Sequence, residues 1–156
     1  MVAGTRQGLR PFLQLGAAAL SSAMDARRRE IAILRVAHAT GAGYERAQHE
    51  RLARLAGVIE EEIAAIAVEE PVTSLDEEAN LICRVADEVS RDVRLSDEAL
   101  ADLIERYGER EASDVILLVS YYNMVSRFLE STRVELEDQE PDGWQAIGSE
   151  GQREGG

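Results

Sequence analysis

Two carboxylates and one histidine in the stretch EIAILRVAHATGAGYERAQHE (residues 30–50) carry the spacing best suited to chemistry. Glu45 and His49 are four apart, so on a helix they lie one turn apart and about 40° around the axis. A carboxylate at that spacing can hold an imidazole and raise its basicity, the simplest general base a chain can build. Glu30 belongs to the preceding helix and joins them only if the two helices fold back on each other. The bland alternative is a surface Glu–His pair worth a few tenths of a kcal/mol.

The elements that must position these groups read as helices throughout. Phe12 to Ala23 is a short apolar helix. Asp25 caps a second that runs to Thr40, with Ile31, Leu34 and His38 on one stripe. Gly41 and Gly43 mark the break, and Tyr44 to Ala56 is a third helix closed by Gly57. Glu60 to Ala67 is a fourth, opened by a solvated Glu60–Glu61–Glu62 start that the helix dipole favours. Pro71 to Thr73 is the linker, and Ser74 or Asp76 caps a fifth helix reaching about Arg91, with Leu81, Val85 and Val89 at helical spacing. Ser96 caps a sixth, Asp97 to Tyr107, stopped by Gly108. The seventh, about Glu111 to Arg133, carries the apolar run Val115–Val119. A helix without a polar face must be buried all round, which predicts a central helix or one covered by a partner subunit. Residues 138–156 are acidic, Gly-rich and non-periodic, an expected disordered tail after a domain of residues 1–137. Trp144 in that tail is a solvated residue or, alternatively, a lid over the site.

Composition narrows the function. The 156 residues suffice for one domain with one core, and the net charge of −13 disfavours nucleic-acid partners. All seventeen basic residues are Arg, so no lysine Schiff base can form. The single cysteine, Cys83, excludes a CxxC couple, an intramolecular disulfide and a cysteine zinc site, and between Ile82 and Val85 it reads as a small buried hydrophobe. The N-terminal segment has two Arg before an apolar run, but Gln14 interrupts the run and a charged helix follows. It reads as a first helix rather than a signal, giving a cytoplasmic expectation. No run approaches the roughly 18 apolar residues of a membrane span.

The run RRREIAILRVAHATGAGYERAQHERLARLAGVIEEEIAAI (Arg27 to Ile66), with YYNMVSRFLESTRVELE (Tyr121 to Glu137), resembles the carboxymuconolactone decarboxylase / alkylhydroperoxidase D-like superfamily. That resemblance implies an all-α bundle of about six to seven helices and a homotrimer or homohexamer. In the peroxidase branch a Glu, a CxxC pair and a His carry the chemistry. Its Glu falls on Glu30 and its His on His49, but its cysteines fall on Ala42 and Glu45. Without a thiolate there is no nucleophile for a peroxide, so peroxidase activity is not expected. The decarboxylase branch is similar at Glu45 and His49 and implies cofactor-free proton transfer on a lactone acid.

These readings converge on a lyase or isomerase acting on a small acidic or enolisable ring compound. His49 is the expected acid/base, with Glu45 and Glu30 orienting it. An amide of the Gly41–Gly43 turn, which opens a helix, could hold an oxyanion. Arg46 is a candidate for a substrate carboxylate, and Tyr44, Tyr121 and Tyr122 are further pocket candidates, with Asn123 a possible helper. His38 reads first as a half-buried core histidine and second as a pocket residue. Rival readings are a divalent metal on Glu30, Glu45 and His49, a redox enzyme working by another route, and a non-catalytic binding or assembly protein.

Overall fold

A computed structural model describes residues 7–21 and 24–133. They form six helices: α1 (Leu9–Leu20), α2 (Ala26–Thr40), α3 (Gly43–Leu55), α4 (Glu60–Val68), α5 (Glu77–Arg91) and α6 (Asp97–Thr132). The caps are the expected ones where side chains supply them. Asp25, Asp76 and Ser96 each accept from the backbone amide three residues on, Arg28, Ala79 and Ala99. Ser74 does not take that role. The predicted sixth and seventh helices run on as α6, bent where Gly108 leaves helical geometry at φ 77°, ψ 163°. Residues 138–156, including Trp144, lie outside the described residues.

The central helix is α2. It packs against α3, α4, α5 and α6, and eight consecutive residues, Glu30 to Ala37, are buried. This corrects one of the two expectations for the Val115–Val119 run, that its helix is the central one; cover by a partner subunit is the other. Val115, Leu118 and Val119 are core residues, but Leu117 is 42% exposed. The run meets the core on one face only, because α6 is an outer helix. Ser113, Leu117, Ser120 and Met124 make its outward stripe. Arg35 has the largest of the fully buried side chains, held by Asp87 of α5 and the Ile66 carbonyl of α4.

The α2–α3 turn sets up everything that follows. Gly41 takes the left-handed conformation (φ 69°), which a residue with a Cβ adopts at a cost, and its amide donates back to His38. The chain then enters α3 at Ala42, which has no side-chain acceptor for a cap. Glu130 of α6 supplies one across 87 residues, accepting from the Gly43 amide at 3.1 Å. One hydrogen bond thus satisfies an orphan donor and ties α3 to α6.

Candidate active site

The reversal between α2 and α3 brings Glu30 against His49. His49 Nδ1 lies 2.7 Å from Glu30 Oε2, and its Nε2 lies 3.5 Å from Glu45 Oε2. Both ring nitrogens therefore face carboxylates. The long-range partner makes the close hydrogen bond, whereas the i,i+4 partner stands off. Arg29 Nε donates to the other Glu30 oxygen at 3.1 Å, so Glu30 is held from two sides. All three site residues are buried. Glu45 has His49 as its one ion-pair partner among the described residues. Burial pushes the Glu45 carboxyl above the ordinary carboxylate range, and His49 only partly offsets this.

Two tyrosines of α6 close the site. Tyr122 packs edge-on against the His49 ring, centroids 5.1 Å apart, and Tyr121 packs edge-on against Tyr122 at 5.4 Å. Burial first, and the Glu45 charge second, raise both phenols, so both stay protonated donors. Over Tyr121 lies α1. Its Phe12 carbonyl accepts from the Tyr121 hydroxyl at 3.4 Å, and a Cβ at Gly16 would stand 2.4 Å from that hydroxyl. Only glycine admits the approach. The sealed, unpartnered polar side-chain atoms of the described residues are Arg28 Nε and Ser126 Oγ. Glu30, His49 and Glu45 are buried to nearly the same degree, their side chains 4%, 6% and 8% exposed.

The other sequence candidates are placed as follows. Arg46 lies on the exposed side of α3, 3.9 Å from Glu50. Tyr44 is half-buried in the first turn of α3. His38 sits near the far end of α2, 3.4 Å from Glu70, and does not join the Glu30–His49–Glu45 group. The amides of the Gly41–Gly43 turn, candidates for holding an oxyanion, already donate to the His38 carbonyl, the Ala37 carbonyl and the Glu130 carboxylate in turn. Asn123 is buried in a separate network with Ser90 and Arg127. Cys83 is buried and its thiol is pushed up to about 12 by desolvation, so it forms no thiolate near neutrality. Among the described residues no group of three or more His, Cys, Asp or Glu is arranged to hold a metal. Sequence reasoning missed Arg29 and Glu130. Arg29 carried a signal in its adjacency to Glu30, whereas Glu130 carried none.

Two surface cavities, about 420 Å³ beside Leu81 and Arg106 and about 510 Å³ beside Leu9 and Leu13, have no residue of this site in their walls. No helix among the described residues is long and apolar enough to cross a membrane.

No curated protein matches the chain. A solved structure of a protein of unknown function from Agrobacterium tumefaciens, proposed to be the antioxidant defence protein AhpD, is similar in fold. The TM-score is 0.75 at 18% identity, over 88% of this chain and 96% of that one. At that identity the likeness establishes the all-α, AhpD-like helical fold alone. The model of the carboxymuconolactone decarboxylase family matches residues 7–88, a span that holds α1 to α4, most of α5 and all of Glu30, Glu45 and His49. Over more than half its length, then, this chain carries that family's pattern, and it belongs to the carboxymuconolactone decarboxylase family.

Proposed function

We propose that the protein is a cofactor-free lyase or isomerase that moves a proton on a small acidic or enolisable ring compound. The observation that supports this reading is an imidazole held in a buried site between two carboxylates. Burying two acids and a base without full compensation costs stability, and such an arrangement is the usual mark of a site tuned for proton transfer. His49 lies between the two carboxyls, and Glu30, at 2.7 Å, fixes its ring. A thiol-based peroxidase role finds no support, since the only cysteine is Cys83 in the core. The near closure of the site favours a second reading, a binding or assembly protein that kept the fold without the chemistry.

The two readings separate in heavy water. Lactones, aromatic acids and β-keto acids are incubated with wild type and with His49→Ala, and deuterium uptake and CO2 release are followed. Wild type should turn over at least one compound, and the variant should fall by roughly 10²–10⁴-fold with an unchanged circular dichroism spectrum. His49→Gln, which keeps a polar group between the carboxylates, replaces the Ala variant if that one misfolds. Binding by wild type without turnover of any compound would move the assignment to the non-catalytic reading.

We also assign the outward stripe of α6 to contact with a second copy in the cytoplasm, in line with a trimer or hexamer. Leu117 and Met124 are each 42% exposed and lie two turns apart on one face. Light scattering should show an oligomer for wild type and a smaller species for Leu117→Glu/Met124→Glu. A wild-type monomer at micromolar concentration overturns the assignment.

A further inference from the structure

We infer that Arg29 is a positioning residue for His49: acting through Glu30, it holds the neutral imidazole with its proton on Nδ1 and leaves Nε2 bare on the side of Glu45. Resting on the proton-transfer reading above, this role names the nitrogen that takes the proton. Ring spectra reveal it without turnover.

The chain places three arginines in a row, and one of them serves the site. Arg27 goes to Glu62 and Asp76. Arg28 goes to Glu78, Glu111 and the face of Tyr107. Arg29 turns to its own neighbour, with Nε 3.1 Å from Glu30 Oε1. Adjacent side chains on a helix point about 100° apart, so spacing alone does not bring these two together. The Arg29 side chain is 25% exposed and that of Glu30 is 4% exposed. A partly exposed cation thus reaches a carboxyl in the interior. It also bears on Tyr122: burial, Glu45 and Glu30 push that phenol up, and the charge of Arg29 pulls the other way. Tyr122 lies edge-on to the His49 ring, so guanidinium, phenol and imidazole belong to one cluster.

The geometry orders the protons. A neutral imidazole carries one N–H, and the partners of its two nitrogens decide which one. Glu30 accepts from Arg29 at Oε1, a charge-assisted bond that suits an ionised carboxyl. Its Oε2 therefore offers His49 an acceptor at 2.7 Å, and Nδ1 is the donor. At the other end of the ring Glu45 stands 3.5 Å from Nε2 and pairs with no arginine among the described residues. Burial raises its carboxyl, and His49 only partly offsets this. One carboxyl is supplied with a cation and the other is not, so the first takes the ring's proton as a hydrogen bond. Nε2 is left as the base, facing the acid with which it can exchange.

The test is long-range proton–nitrogen NMR of the His49 ring. His38→Gln, outside the group, leaves His49 as the one imidazole of the chain. In alkaline buffer, where the ring is neutral, this protein should show a protonated Nδ1 and a bare Nε2. Adding Arg29→Gln should mix the two tautomers or reverse them, and Arg29→Lys, which restores a cation, should bring the first pattern back. A bare Nδ1 with Arg29 in place overturns the inference, and so does an unchanged ring spectrum in Arg29→Gln. Arg29→Met, which keeps the apolar stem, replaces the Gln variant if its melting curve shows misfolding. With a compound that wild type turns over in heavy water, Arg29→Gln should lower kcat roughly tenfold or more at an unchanged KM, as loss of an imposed tautomer does. A raised KM at unchanged kcat makes Arg29 a binding residue and overturns the inference as well. If wild type turns over no compound, the proton-transfer reading fails alone, and the ring spectra still decide the tautomer.

Discussion

Arg35→Ala should cost about 3–5 kcal/mol of stability, which for a chain of this size lowers the melting point by roughly 6–20 °C. The Arg35 side chain is fully buried. Its guanidinium forks onto Asp87, with Nε 2.8 Å from Oδ1 and one terminal nitrogen 2.7 Å from Oδ2, while the other terminal nitrogen donates to the Ile66 carbonyl at 2.7 Å. One planar group thus joins α2, α4 and α5. Removing it leaves the Ile66 carbonyl without its donor and Asp87 with only the longer Arg91 contact at 3.6 Å, and opens a cavity. Asp87→Ala should cost a similar amount. The double replacement Arg35→Met/Asp87→Leu should recover most of the loss, because a buried ion pair repays its own desolvation only narrowly. Thermal melting of the three variants checks this, and a loss below about 1 kcal/mol in both single variants would falsify the claim that the pair holds the bundle together.

That ion pair marks the boundary of what the sequence could reveal. The caps at Asp25, Asp76 and Ser96 and the break at Gly108 are local chemistry, and each lies where the pattern put it. That Arg35 is the arginine buried among the described residues is decided by Asp87, 52 residues away, and no spacing rule reaches that far. The Val115–Val119 run left two readings, a central helix or one covered by a partner, because five apolar residues in a row erase the helical period. Only the packing of α6 on one side of α2 decides that Leu117 points outward. At the site, the i,i+4 pair Glu45–His49 was readable, and the Glu30–His49 meeting was readable as a condition on the turn at Gly41. Their relative strength was not. The helical pair stands at 3.5 Å and the pair between helices at 2.7 Å, a ranking set by side-chain rotamers and not by spacing, since the i,i+4 pair Arg84–Glu88 closes to 2.9 Å. Glu130 on Gly43 was invisible for the same reason as Asp87 on Arg35.

Glu45→Gln should abolish proton exchange at carbon, a fall of roughly 10²–10⁴-fold, and at the same time make the fold more stable in neutral buffer, by about 1 kcal/mol. The two effects share a cause. Burial raises the Glu45 carboxyl in the folded state above its unfolded value. Between those two values the folded chain binds more protons than the unfolded chain, so stability falls as the pH rises through that window. The protonated form's contribution is complete below the ordinary carboxylate range and is lost as the pH passes the raised folded value. Gln keeps the shape and removes the charge. The gain in melting point should therefore be present at neutral pH and vanish in acid. Glu30→Gln should behave oppositely: Glu30 is met by Arg29 and by His49, so replacing it leaves those partners short of a charge and destabilises the fold. Melting curves of the two variants across pH, read beside their exchange rates, separate the roles. A carboxyl kept only for packing would cost stability when replaced. If Glu45→Gln melts lower than wild type at neutral pH, Glu45 is a structural acid, and the case for a site that trades stability for chemistry is lost.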